Sequence, residues 1–491
     1  MTKYFSRFSI FAGRGEAFPI LAFFAPLLVR ALPEIIMGQY IVGFDTISYY
    51  VPVTFRLING DVGFWQIIGY APLFYLFLAG LVSTGVPLIV SLKILPPLLH
   101  GFLAVAIYSY AKKAFAWSSK KSFFVSLLAT LYFVALRVSW DMLRSELGLV
   151  FLFVFLAFLW EGWKEKPWKC CALLLPTMVF VVLSHQLVSA IMFAIVSVVV
   201  LQDLARREYG SARNLVLSAL PSVLLFCLII YAGLFVSSVS PFAESEGWLS
   251  LFGFSTFGDV LVGTFGFLFY CYLPLSVFVL FGVRSFGNLE LRVWLCWCLV
   301  GVLMGALGWY GLFPMSYRWT LLMVFPLAFF AVEGFKRFHF RRLKIVLSSV
   351  LVFLSCGFIL LPASMAFPYF GLFPNYVSSS MLQNSVALGD CGDVVEALAW
   401  VNGSLGSDGV LLAHDAFCGW AFLYLNQVQI VCYGYADPVD VAWKMVANGY
   451  DRLFLVWWVS GEGWHGVASL SSCFVEVFRS GRIAVYEFKA V

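Results

Sequence analysis

The sequence predicts a polytopic α-helical membrane protein that carries a soluble α/β domain at its C-terminal end. Three observations carry that expectation. Of the 491 residues, 62% are hydrophobic and only 12% charged, whereas a soluble chain carries about a quarter charged residues. The apolar residues come in runs such as LGLVFLFVFLAFLW (147–160), and about 20 such residues are needed for a helix to cross a bilayer. After residue 362 the runs stop, and Gly, Asp and Asn return to ordinary frequencies. A closed barrel would show period-two alternation, which the runs lack.

In chain order, Lys3, Arg7 and Arg14 precede the first run with no small-residue cleavage site, so 18–37 reads as a retained signal-anchor. The predicted spans are 17–37, 87–111, 122–138, 143–162, 170–184, 186–202, 215–236, 259–282, 291–313, 319–334 and 343–362. That gives about eleven. A twelfth exists only if the apolar stretch 69–83 crosses. Charge favours a flat surface helix there. With 69–83 flat, the clusters Lys3/Arg7/Arg14, Lys112/Lys113/Lys120/Lys121, Lys164/Lys166/Lys169, Arg206/Arg207/Arg213, Arg284/Arg292 and Lys336/Arg337/Arg341/Arg342/Lys344 all fall on one side. Short cytoplasmic loops attract such residues. The expected topology is a cytoplasmic N-terminus, a long external loop over 38–86, a membrane domain over 1–375 and an extracytoplasmic domain over 376–491. The net charge of +5 is spent on orienting helices, and no nucleic-acid partner is expected.

In the terminal domain, VVEALAWVN (394–402) and 439–449 read as helices. The stretches 409–414, 428–432, 453–459 and 483–488 read as strands, and their alternation with helices suggests a parallel sheet. Four of the eleven cysteines, Cys391, Cys418, Cys432 and Cys473, lie in this domain without metal-type spacing, which leaves disulfides and free thiols both open.

Ionisable groups in or beside spans are costly and point to function. Arg30, Glu34 and Lys93 lie near outer span ends, Arg137, Asp141, Arg144 and Glu146 cluster at one outer turn, His185 breaks an apolar helix pair, and Arg318 opens a span from outside. Arg30, Lys93, Arg144 and Arg318 are therefore expected to meet Asp45, Asp141 and Glu146 in one layer at headgroup depth. Basic groups there suit a phosphate or pyrophosphate. The competing reading is that each charge merely snorkels to water. That reading weighs most for Arg30, which has Glu34 at i+4.

The motif GFDTISYY (43–50), the surface helix APLFYLFLAGL (71–81) and the inward run VSLKILPPLLHGFLAVAIYSYAKKAF (90–115) follow one another. That order resembles membrane glycosyltransferases of the GT-C fold, including protein O-mannosyltransferases and the aminoarabinose transferases of lipid A. The resemblance implies that Asp45 is the catalytic carboxylate. It implies that Lys93, where the family commonly has Arg, contacts a lipid phosphate. RVSWDMLRSE (137–146) stands where related oligosaccharyltransferases carry an acidic metal-binding motif, and only Asp141 is retained. Asp141, Glu146 and His185 are thus candidates for substrate or a divalent metal, with no cofactor certain. AWVNGSLGSDGVLLAHDAFCGW (399–420) resembles the opening of the oligosaccharyltransferase soluble domain. The Trp-Trp-Asp-Tyr-Gly acceptor motif of that group is replaced by 414–420, which makes His414 and Asp415 the acceptor-side candidates.

The function expected is transfer of a sugar from a polyprenyl- or dolichyl-phosphate donor to an acceptor hydroxyl on a glycan, lipid or protein at the outer membrane face. Asp45 would be the base, with Lys93, Arg144 and Arg318 on the lipid phosphate. An oligosaccharyltransferase with a pyrophosphate donor is the first alternative. A lipid flippase or transporter is the second, and a catalytically dead relative the third. No internal repeat of the transporter kind is visible.

Overall fold

The computed structural model describes residues 17–160, 167–233, 257–309, 317–360, 384–405, 409–425, 428–434, 436–459 and 470–489. The predicted boundary at 375/376 and the basic residues Lys3, Arg7, Arg14, Lys164 and Lys166 lie outside them.

Among the described residues, nine helices are long and apolar enough to cross a membrane, or ten if one bent pair counts as a span. They are α1 (Phe18–Ile36), α5 (Leu88–Ala114), α8 (Leu143–Trp160), α10 (Gln186–Ala205), α11 (Tyr209–Gly233), most of α12 (Phe257–Gly282), most of α13 (Asn288–Trp309), the run Arg318–Arg337 and α16 (Arg341–Leu360), while α9 (Pro167–Ser184) holds a shorter apolar helix, Ala172–Ser184. They form because a backbone in lipid must bond to itself, and they lie where the apolar runs placed them. The protein is an integral membrane protein.

Two predicted spans are not single straight helices. The run 122–138 is α6 (Ser119–Leu131) and α7 (Phe133–Asp141), bent by 62°. The break is Tyr132, whose extended backbone (φ −66°, ψ 138°) stops the helical ladder. The run 319–334 is α14 (Tyr317–Leu321) and α15 (Val324–Arg337). Pro326 stands in the first turn of α15, where its missing N–H costs nothing.

The loop between α1 and α5 holds a π-helical turn (Thr46–Tyr50), α2 (Val51–Ile58), α3 (Phe64–Gly69) and α4 (Leu73–Ser83). α4 has 11 residues. At 1.5 Å per residue it reaches about 16 Å, half the hydrocarbon thickness. It does not span.

Close helix crossings are made at glycine. α12 and α15 meet where Gly282 lies on the Phe330 carbonyl and Gly334 on the Phe278 carbonyl, and a Cβ at either would overlap backbone. Small residues let helices approach this way in lipid, where apolar burial gives no drive.

The terminal domain comprises α17 (Cys391–Ser404), β1 (Gly409–His414), α18 (Asp415–Tyr424), β2 (Gln429–Tyr433), α19 (Pro438–Ala447), β3 (Arg452–Trp458), β4 (Phe474–Ser480) and β5 (Ile483–Phe488). The sheet order is β2-β1-β3-β5-β4. β2, β1 and β3 are parallel, as expected, but β5 and β4 run antiparallel, so the sheet is mixed. The sequence pattern predicts neither β4 nor α18. Cys418 of α18 and Cys432 of β2 form a disulfide, while Cys391 and Cys473 are free.

This domain does not stand apart. Its core residues Leu411, Phe417, Trp420 and Leu455 are continuous with Ile41, Ile47, Tyr50, Phe74 and Leu92 of the membrane domain. α18 lies against the Thr46–Tyr50 turn, with Gly419 on the Ile47 carbonyl.

Candidate functional site

The centre of the site is a corner of chain, 133–146, formed by α7, the break at Met142 and the start of α8. The loop between α1 and α5 folds back onto it. Gly43 has φ +109°, and a Cβ there would lie 2.8 Å from the Trp140 carbonyl oxygen and 2.6 Å from Thr46 Oγ1. Only glycine enters this turn without strain. Two residues later the Asp45 backbone N–H donates to Asp141 Oδ1 (3.2 Å). The Tyr50 hydroxyl donates to the Asp141 carbonyl at 2.9 Å. The loop is thus stitched to the corner on both sides of the Thr46–Tyr50 turn.

Asp45 is buried, and its Oδ2 forms an ion pair with Arg318 of α14. Arg144 comes from the start of α8. Its Nη2 donates to Gln186 Oε1 at 3.2 Å, Gln186 Nε2 donates to the Gly69 carbonyl at 2.9 Å, and the guanidinium lies 5.3 Å from the centre of the Tyr75 ring. His185 caps α10, its Nδ1 accepting from the Leu187 N–H at 3.1 Å. That leaves Nε2 to carry the ring proton, and the charges of Arg144 and Arg318 both bear on it. Asp45, Arg318, Arg144 and His185 therefore gather at one place.

Asp141 adjoins this group through the Asp45 N–H, and the remaining charges are held in contact pairs around the corner. Asp141 Oδ2 pairs with Arg137 Nη1 at 2.6 Å. Lys93 donates to the Tyr40 carbonyl at 2.7 Å and to Glu34 Oε2 at 3.4 Å. Glu34 also holds Arg30 at 2.9 Å, and Arg30 Nε donates to the Ser139 carbonyl at 3.2 Å. Glu146 meets His100 of α5 at 2.6 Å. The charges form pairs arranged round the corner. Burial explains this, because a charge removed from water needs a partner at contact distance.

Each carboxylate thus faces a basic side chain. No group of three or more His, Cys, Asp or Glu is placed to hold a metal ion among the described residues. Asp141, Glu146 and His185 do not converge as a ligand set.

His414 and Asp415 lie at the end of β1. The His414 Nδ1 caps α18, accepting from the Ala416 N–H at 3.2 Å, and the ring is buried beside Tyr433 and Trp457. The Asp415 carbonyl accepts from Ser48 Oγ at 3.2 Å, which brings this edge of the domain onto the loop of Asp45. Burial pushes the Asp415 carboxyl up to about 7.

Sequence reasoning missed His100, Tyr50 and Gln186. His100 had a readable signal, an imidazole midway through an apolar span. Tyr50 and Gln186 act through backbone and amide contacts that no pattern announces.

Solved structures similar to this chain include two of one protein. One is ArnT from Cupriavidus metallidurans bound to undecaprenyl phosphate, at 12% identity and a TM-score of 0.47, with 96% of this chain and 98% of that one covered. The other is ArnT from the same organism in the apo state, at 14% identity and 0.46, with 95% and 97% covered. No family model and no curated protein matches the sequence.

Proposed function

We propose that this protein is a GT-C type glycosyltransferase that moves a sugar from a polyprenyl- or dolichyl-phosphate donor to an acceptor hydroxyl at the outer membrane face. The observation that carries the proposal is the buried Asp45 carboxylate in contact with Arg318, with Arg144 and His185 beside it. A carboxylate and two guanidinium groups from separate spans match the two ends of this reaction. Asp45 takes the proton of the acceptor hydroxyl as its oxygen attacks the anomeric carbon. The bond from that carbon to the phosphate oxygen breaks, and the charge left on the lipid phosphate falls to Arg318 and Arg144. Inversion at the sugar follows from the resemblance of GFDTISYY and its neighbours to the family.

Lys93 is assigned to the phosphate less directly, since Glu34 and the Tyr40 carbonyl already engage it. Asp415, with His414 behind it as a helix cap, is assigned to the acceptor side. An apolar recess of about 320 Å³, lined by Leu128, Leu136, Leu351 and Ile359 among others, opens between α1, α6 and α16. It is of the right chemistry for a prenyl chain. The positive clusters on one side support a cytoplasmic N-terminus, and the Cys418–Cys432 disulfide supports an extracytoplasmic domain.

The test is a titration with a short-chain polyprenyl phosphate. A bidentate phosphate contact needs the guanidinium fork, so Arg318→Lys should weaken binding by roughly 10-fold and Arg318→Ala further. Parental affinity in both folded variants would make Arg318 an interface anchor and remove the phosphate site.

A further inference from the structure

We propose that His100 is a positioning residue for this reaction: it clamps the two ends of the 133–146 corner and so fixes Asp45. The inference rests on the reading of Asp45 as the base.

His100 lies midway along α5 and is fully buried. Its Nε2 donates to the Thr130 carbonyl at 2.9 Å. Thr130 is in the last turn of α6, just before the bend at Tyr132, where helix carbonyls have lost their own partners. The other ring nitrogen, Nδ1, meets Glu146 Oε1 at 2.6 Å. Glu146 is in the first turn of α8, just past the corner. One imidazole therefore ties together the chain entering the corner and the chain leaving it. Between those two anchors stand Ser139, Trp140 and Asp141. Asp141 holds the Asp45 N–H and the Tyr50 hydroxyl.

The proton count is fixed by these contacts. A carbonyl only accepts, so Nε2 carries a proton, and one further proton lies between Nδ1 and Oε1. The pair is neutral overall wherever that proton sits. It can be replaced as a unit by apolar side chains without stranding a charge, whereas loss of one member strands the other. An ionisable pair inside a span is costly to keep. Simple helix packing would be met by leucine, so a positional demand explains its presence better.

The experiment compares the parent with His100→Leu/Glu146→Leu, and with His100→Asn, which is too short to reach both partners. Each is assayed per folded molecule for affinity toward a short-chain polyprenyl phosphate and for sugar transfer, with Asp45→Asn alongside. A misplacement of about 1 Å at the base should lower turnover by roughly 10–100-fold with donor affinity unchanged. Parental turnover in either folded variant overturns the clamp. Equal loss of affinity and turnover also overturns it, because the pair would then serve packing alone. The Asp45→Asn arm separates the two readings. If that variant transfers sugar like the parent, the base assignment fails. If it is inactive while the His100 variants are normal, only the clamp fails.

Discussion

Gly43 and Asp45 show how the proposed catalytic side chain is set by backbone that carries none. The left-handed turn at Gly43 lets the loop lie against the Trp140 carbonyl, and a Cβ in that conformation costs about 1–2 kcal/mol before any clash is counted. Gly43→Ala should therefore lower both thermal stability and turnover, measured by unfolding in detergent and by transfer assay. Asp415 gives a second residue-scale expectation. Burial raises its carboxyl to about 7, so the folded protein keeps a proton that the unfolded chain releases at about pH 4. Stability then falls as pH rises through that window and levels off above about pH 7, with a loss of roughly 2–3 kcal/mol between pH 5 and pH 8. Asp415→Asn should flatten that slope, as read from melting temperatures across the range. An unchanged slope would place the carboxyl in contact with water. At this scale Asp45 and Arg318 were legible because each is an ionisable group beside an apolar run. The pairing of Lys93 with Glu34, and of Glu146 with His100, was not legible, because sequence gives the depth of a charge but not its azimuth around a helix.

α18 joins the two halves of the molecule. Its Gly419 rests on the Ile47 carbonyl, two residues from Asp45, and its Cys418 is tied to β2. Any larger side chain at 419 must push the helix off the Thr46–Tyr50 turn. Gly419→Leu should separate the terminal domain from the loop, seen as faster protease cleavage between the two and a turnover loss of roughly 10-fold or more. Unchanged turnover would mean that the domain does not shape the site. The long spans were readable because apolar length alone decides them. α18 was not, since DAFCGWAFLY is apolar on every side and holds a glycine, giving neither a helical stripe nor a strand alternation. The bend in 122–138 was hidden for a similar reason: Tyr132 has no helix-breaking chemistry, and tertiary contacts set its extended backbone.

At the scale of the whole molecule, the terminal domain shares its core with the loop that carries Asp45, and Asp45 pairs with Arg318 of the membrane domain. A transporter would need its charges in an open path, whereas the pair inside the membrane, His100 and Glu146, is closed on itself. The predicted orientation is checked by labelling a cysteine introduced at Gly403 in intact cells. Reaction from outside is expected, and reaction only after permeabilisation would reverse the topology. The central claim is that Asp45 is the base of a lipid-phosphate-dependent sugar transfer. Its most direct test is a single-turnover assay of parent and Asp45→Asn with radiolabelled polyprenyl-phosphate sugars. The account predicts that Asp45→Asn folds, binds donor like the parent and loses transfer by roughly 10²-fold or more. Transfer at near-parental rate in that variant would contradict it.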